Sequence, residues 1–247
     1  MSLRYHEIAE THHRILNPFT EPQLELLGEI CRLRPGMRQL DLCCGKGEML
    51  CRWSVAHGIS GVGVDLSPVF LQAARARAVE LDCQDHLSFA EAEAANYPFP
   101  AASFDVASCI GATWIGQGLV GTMGLLRPAL RDRDSLMLIG EPYWIAPPPE
   151  EVYACMGEDH EVFTSLAGTL TRFKAACMEL VEMVLADHHG WDRYEAMHWI
   201  ALSDWLRDNP HDPDAEAFRQ IHEHSRRDYL THLRRYLGWG VFVLRPR

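Results

Sequence analysis

Short apolar runs alternate with amphipathic stretches along this chain, and their order predicts its elements. Thr20-Glu21-Pro22-Gln23 has the spacing of a capping box, and Leu24, Leu27, Ile30 and Cys31 then recur at helical intervals until Pro35-Gly36 stops them. This predicts an amphipathic helix leading into a sheet. Residues 37–42 (MRQLDL) read as a buried strand, 48–57 as a helix ended by Gly58, and 60–66 (SGVGVDL) as a second strand. A helix follows that Ser67 can cap, with Pro68 at its favoured first position. Further strands are predicted at 86–90, 104–110 and 135–140, with a helical stretch over 119–130. Strands joined by helices imply a parallel sheet covered on both faces.

Beyond residue 140 the character changes. PPPEE is a break, 160–178 reads as helical and 179–187 as a sixth strand; 191–236 is helical and rich in Trp, Tyr, His and Arg, and 239–244 supplies a last strand. The expected fold is α/β, doubly wound and Rossmann-like, with a seven-stranded, mostly parallel sheet and an antiparallel last strand. One domain is expected, with N-terminal helices over 1–35, a core of 36–187 and 238–247, and a helical lid inserted at 188–237.

Composition narrows the function. Lys and Arg total 23 against 34 Asp and Glu, a formal charge of −11, which repels a phosphate backbone and disfavours a nucleic-acid substrate. Arg226, Arg227, Arg234 and Arg235 are a local exception that reads as a solvated helix face. The first residues, MSLRYHEIAETHHRIL, carry no apolar signal core, and no run approaches the roughly 18 apolar residues of a membrane span. A cytoplasmic protein without membrane contacts, monomeric or homodimeric, is expected. The eight cysteines show no CxxC and read as reduced, mainly buried thiols. His222, His224 and His232 share no helix face as a compact ligand set, so no metal is expected.

The candidate chemistry lies at the end of the first strand. In Asp41-Leu42-Cys43-Cys44-Gly45-Lys46-Gly47, the two glycines allow backbone N–H groups to approach a ligand at a helix N-terminus. Asp65 ends the second strand, where a carboxylate can accept hydrogen bonds from ribose hydroxyls. A dinucleotide site would want GxGxxG, but Leu50 stands three after Gly47, and Asp41 would face a pyrophosphate unfavourably. No triphosphate loop GxxxxGK[ST] is present.

With these residues the sequence resembles the class I S-adenosylmethionine (SAM)-dependent methyltransferases, whose first motif reads roughly D-[LV]-G-x-G-x-G. Residues 91–105 (EAEAANYPFPAASFD) and 126–139 (LRPALRDRDSLMLI) are similar to later motifs of that family. HRILNPFT, GATWI, LIGEPYW, GWDRYEA and GWGVF look like signatures of a bacterial small-molecule subgroup. The resemblance implies SAM as cofactor, S-adenosylhomocysteine as product, and a small-molecule acceptor. It places Asp41, Cys43, Gly45, Gly47, Asp65 and Leu66 on the cofactor, Glu93 and Ala94 toward adenine, and Cys109 and Ile110 beside the methionine part. Cys43 replaces the motif's first glycine, which leaves the backbone angles of the loop open.

Methyl transfer needs alignment and exclusion of water, and a base only where the acceptor is a hydroxyl. Glu141, just past the fifth strand, is the first candidate base or substrate anchor, although it could simply cap backbone N–H groups near Pro142. His12 and His13 lie in a segment that in class I enzymes folds over the cofactor, and His13 is the second candidate. Trp114, Tyr143 and Trp144 could wall the acceptor pocket, joined by Trp191 and Tyr194 from the lid; each could equally serve packing. Two alternatives stay open: a catalytically silent SAM-binding protein, and a nicotinamide-dependent oxidoreductase.

Overall fold

The computed structural model describes residues 2–156 and 163–247. β1 (Arg38–Leu42), β2 (Ser60–Asp65), β3 (Leu87–Glu91), β4 (Val106–Ile110), β5 (Leu136–Trp144), β6 (Met178–Leu185) and β7 (Leu237–Pro246) form one sheet in the order β3-β2-β1-β4-β5-β7-β6. The first five are parallel, and β7 runs antiparallel between β5 and β6. This is the expected seven-stranded, mostly parallel sheet with an antiparallel last strand. Strand order reverses between β1 and β4, and the crevice at their carboxyl ends is where a doubly wound sheet receives ligands.

Helices cover both faces. On one, α2 (Glu21–Ile30) and α3 (Glu48–His57) bring Leu24, Leu27 and Trp53 against Val106, Leu138 and Val241. On the other, α5 (Leu119–Leu126) and α7 (Leu166–Ala175) bring Met123 and Phe173 against Leu40, Ala107, Ile139 and Phe242. The predicted caps form. Thr20 accepts from the Gln23 N–H while Gln23 accepts from the Thr20 N–H, and the Gln23 amide also donates to the Leu185 carbonyl at 2.8 Å, tying α2 to β6. Ser67 caps α4 (Pro68–Glu80) by accepting from Phe70 N–H at 3.1 Å.

Three boundaries differ from the sequence pattern. β5 runs on through Pro142 to Trp144, because β4 has left the sheet after Ile110 while β7 still pairs there, and Trp144 N–H turns on the vacated side to the Thr164 carbonyl at 2.9 Å. A proline at a one-sided edge costs no ladder bond on the vacated side. The segment read as a break opens α6 (Glu150–Met156), and the helix predicted over 160–178 is Leu166–Ala175, with residues 157–162 outside the described ones. The stretch 191–236 divides into α8 (His188–Asp208), α9 (Ala215–Asp228), a π-helical turn (Tyr229–Leu233) and the short α10 (Arg234–Tyr236). Pro210 supplies the break after α8, since it offers no backbone N–H and disfavours helix at Asn209.

The inserted helices pack on the N-terminus. Tyr5 and Ala9 of α1 (Leu3–Ala9) bury against Leu202, Leu206, Ala215 and Phe218 of α8 and α9. Asp192 of α8 accepts from the Tyr229 hydroxyl at 2.8 Å and from Arg234 at 2.7 and 3.0 Å, which fastens α8 to the turn before β7. Asp192 is thus a tertiary anchor. Among the described residues no helix is long and apolar enough to cross a membrane.

Candidate active site

A cavity of about 920 Å³ lies at the carboxyl ends of β1, β2 and β4. Asp41, Cys43, Gly45, Asp65, Leu66, Glu93, Ala94 and Ile110 all line it, together with Cys44 and Lys46. These residues are 69 positions apart at the extremes, and parallel pairing of β1 with β2 and β4 brings them to one edge.

The loop at 43–47 is held in left-handed geometry. Gly45 and Gly47 have φ of 53° and 66°, and Cys43 itself adopts φ 60°, so the loop keeps its shape where the motif's first glycine is missing. A Cβ on Gly45 would come within 2.6 Å of Leu16, and one on Gly47 within 2.7 Å of the Phe89 ring. Gly47 therefore backs onto the helix–strand packing and does not line the cavity.

Carboxylates dominate the cradle. Asp65 accepts from Gly45 N–H at 2.8 Å and from Ser67 N–H at 2.9 Å, which positions the loop and leaves further lone pairs toward the cavity. Asp41 accepts from the Ser108 hydroxyl at 2.6 Å, and burial pushes its carboxyl up to about 7. Lys46 offers little charge to a ligand. Its ammonium donates to the carbonyls of Glu10, Thr11 and His13 at 2.7, 3.1 and 2.7 Å and so clasps the N-terminal segment over the loop. Such a cradle suits ribose hydroxyls and a cationic group and opposes a pyrophosphate.

Much of the remaining lining is aromatic and apolar, with Trp114, Ile115, Pro142, Met156, Phe163, Trp191, Tyr194, Leu237, Trp239 and Val241, while Ser2, His6, Arg14, Asn17, Glu48 and Thr113 add polar groups. Trp191 and Tyr194 stand in the wall as the sequence suggested, and Trp114 is 72% exposed at the margin.

Other candidate residues lie elsewhere. Cys109 faces the core, 0% exposed, because strand alternation turns it away while its neighbour Ile110 lines the cavity; its hydrogen-bonded contact with Cys43 and its burial hold the thiol well above its ordinary range. Glu141 is 1% exposed on the α5–α7 face of β5, accepts from the Thr113 hydroxyl, and does not line the cavity. Its alternation partner Tyr143 is likewise in the core, against Gly238. Trp144 lines a separate depression with Ile145 and Tyr153. His13 is buried, bonded to the Tyr194 carbonyl at 2.9 Å and beside Glu10. His224 pairs with Asp228 at 3.1 Å, away from His222.

The sequence put an N-terminal segment over the cofactor and weighed His12, His13 and Asn17 in it, but singled out neither Leu16 nor His6. Leu16 and Asn17 line the cavity, and a Cβ on Gly111 would come within 2.3 Å of Asn17 Oδ1. His6 lines it too, and burial lowers the pKa of its ring. The HRILNPFT string and the family resemblance were the signals for this segment.

Comparison with known proteins agrees with this geometry. A family model described as a methyltransferase domain matches residues 40–124, from β1 into α5. The uncharacterized protein YjhP of Escherichia coli (strain K12) is 44% identical over 246 residues, covering 99% of this chain and 98% of its own. A SAM-dependent methyltransferase from Geobacter sulfurreducens, crystallised in complex with S-adenosyl-L-homocysteine, is 44% identical with a TM-score of 0.94, over 100% of this chain and 99% of that one. The chain belongs to the class I SAM-dependent methyltransferase family. Its cofactor is SAM, which removes the nicotinamide alternative, and the acid-rich cradle with its close-approach Gly45 fits that group. The 27-O-demethylrifamycin SV methyltransferase of Amycolatopsis mediterranei (strain S699) is 32% identical over 102 residues, 41% of this methyltransferase and 38% of its own length.

Proposed function

We propose that the protein transfers the methyl group of SAM to a small, largely apolar acceptor held in the same cavity. The observation that carries this reading is the continuity of the 920 Å³ space, which joins the acidic cradle to the aromatic wall. Its size lies near the top of the roughly 300–1,000 Å³ usual for small-ligand pockets, enough for a nucleoside and a second small molecule. The partial match to a relative named for methylating 27-O-demethylrifamycin SV, a small molecule, supports the same class of acceptor.

SAM, when bound, supplies a methyl group on a sulfonium sulfur. In this reading Asp65 takes the ribose hydroxyls, Glu93 and Ala94 lie toward the adenine, and Ile110, Gly111 and the 43–46 loop seat the methionine part. The cover at 14–19 and Trp191, Tyr194 and Trp239 exclude water and align the acceptor. Helices α8 and α9 act as a lid in this scheme. Apart from Tyr194, whose hydroxyl donates to Glu10 at 2.7 Å, none of the aromatic and apolar wall ionises. Glu141 and His13 do not line the cavity and serve as no base in this reading; His6, which lines it and whose ring burial keeps below its ordinary pKa, is the imidazole within reach of an acceptor. We place the reaction in the cytoplasm.

Calorimetric titration with SAM, S-adenosylhomocysteine and NADH in parallel, followed by a screen for S-adenosylhomocysteine release, tests the proposal. Binding of the first two, with release stimulated by apolar small molecules, is the expected result. Tight SAM binding with no release for any small acceptor class would leave a silent binder instead.

A further inference from the structure

Glu10, which closes α1, His13, in the next turn, and His198, on α8, come together beneath the cover although 185 positions separate the last two. Each offers one donor atom, and the three atoms lie within 4.8 Å of one another. Glu10 is 0% exposed and His13 4%. Neither histidine was singled out with a metal partner in the sequence, because the ligand set exists only once α1 and α8 pack together.

The geometry of the cluster is informative. His13 Nε2 lies 2.9 Å from the Tyr194 carbonyl, which turns Nδ1 inward toward Glu10. Nδ1 lies 2.9 Å from Glu10 Oε2, yet the two atoms are not aligned for a hydrogen bond and neither has another partner among the described residues. His198 Nε2 lies 3.0 Å from the other oxygen, Glu10 Oε1, with its Nδ1 facing Glu195 at 4.0 Å. His198 and Glu10 are hydrogen-bonded to each other, but the buried pair Glu10 Oε2 and His13 Nδ1 faces inward without a hydrogen bond, a place that a cation can fill.

The surroundings match the outer layer of a metal site. A ligating histidine usually donates its second nitrogen to a carbonyl or carboxylate, as His13 does to Tyr194 and as His198 is placed to do toward Glu195; a ligating carboxylate is itself hydrogen-bonded, as Glu10 is by the Tyr194 hydroxyl at 2.7 Å. Tetrahedral bonds of about 2.0–2.1 Å need donors about 3.4 Å apart, a spacing that falls between the shortest contacts here, 2.9 and 3.0 Å, and the 4.8 Å that bounds the cluster. Two imidazoles and one carboxylate are the donor set of a borderline divalent ion.

We propose that Glu10, His13 and His198 bind a divalent transition-metal ion of the zinc class, which staples the N-terminal cover to α8 at the wall of the acceptor cavity. The ion takes no part in methyl transfer. Its place beside Tyr194 lets it fix the wall that the acceptor meets.

The test uses the full-length, tag-free protein, stripped with chelator and titrated with Zn²⁺ and with Co²⁺. One ion per chain is expected, with a rise in melting temperature and a visible Co²⁺ spectrum lacking a thiolate charge-transfer band. His198→Ala and His13→Ala should abolish it, and Tyr194→Phe should weaken binding by about 10–100-fold through the lost bond to Glu10. His224→Ala, outside the cluster, should bind as the wild type does. Absence of stoichiometric binding by the folded wild type overturns the proposal, whatever the variants do. So does a Co²⁺ spectrum with a thiolate band that His13→Ala leaves unchanged. Because metal content is the readout, these outcomes are independent of whether any acceptor is found.

Discussion

Replacing Glu141 by Gln separates a catalytic carboxylate from a buried neutral one. The side chain is enclosed between β5 and the α5–α7 layer; Thr113 donates to one oxygen, and the other has no hydrogen-bond partner among the described residues. Burial is the largest influence and raises the carboxyl from 4.5 to about 7, against the opposing pull of the Thr113 bond and of the Arg172 charge. A carboxyl whose folded pKa is raised contributes stability that is fully present below its unfolded value and is lost as pH rises through the folded one. The difference of about 2.5 pKa units corresponds to about 3 kcal/mol at about 1.36 kcal/mol per unit. Gln keeps the shape and an acceptor for Thr113 and cannot ionise. Urea unfolding of the two proteins should therefore show the variant's relative stability growing by about 2–3 kcal/mol between about pH 5 and about pH 8. SAM affinity by calorimetry should not change. Parallel pH–stability curves would mean that the carboxylate is ionised and solvated, and loss of SAM binding would put Glu141 back in the site.

Four further outcomes follow from the cradle. Asp65→Asn should weaken SAM binding by about 10–150-fold in calorimetry, the equivalent of about 1.5–3 kcal/mol for hydrogen bonds to a charged group, and unchanged affinity would remove Asp65 from the ribose position. Gly45→Ala combines a left-handed φ with a 2.6 Å approach to Leu16, so cofactor binding should fall steeply, whereas Cys43→Gly relieves a left-handed side chain and should leave melting temperature equal or higher. Lys46→Met removes all three carbonyl contacts and should make residues 1–19 more susceptible to limited proteolysis; an unchanged cleavage rate would show that the clasp does not hold the cover.

The division between what was legible and what was not runs along contact range. The capping box at Thr20, the cap at Ser67, the β1 loop and Asp65 were all readable because each depends on residues a few positions apart and on strands joined by one helix. Pro142 misled because its tolerance depends on β4 leaving the sheet first, which is a property of the neighbouring strand. Glu141 and Tyr143 misled for a related reason. Position at the end of a strand placed them near the ligand edge, but the face on which they project was set by the pairing of β5 with β7, and that face is the core.

The sequence by itself determined the sheet class, the glycine-bearing loop after β1 and the acidic character of the cradle, because apolar periodicity and glycine geometry act locally on the backbone. Only the tertiary structure decided which strand-end side chains enter the cavity and how α1 and the 14–19 segment close it. It alone gathered Glu10, His13, Tyr194 and His198 in one buried cluster. Those contacts join residues more than 180 positions apart, and no local preference encodes them; they form when the apolar faces of α1 and α8 leave water together and carry their polar neighbours into the interior.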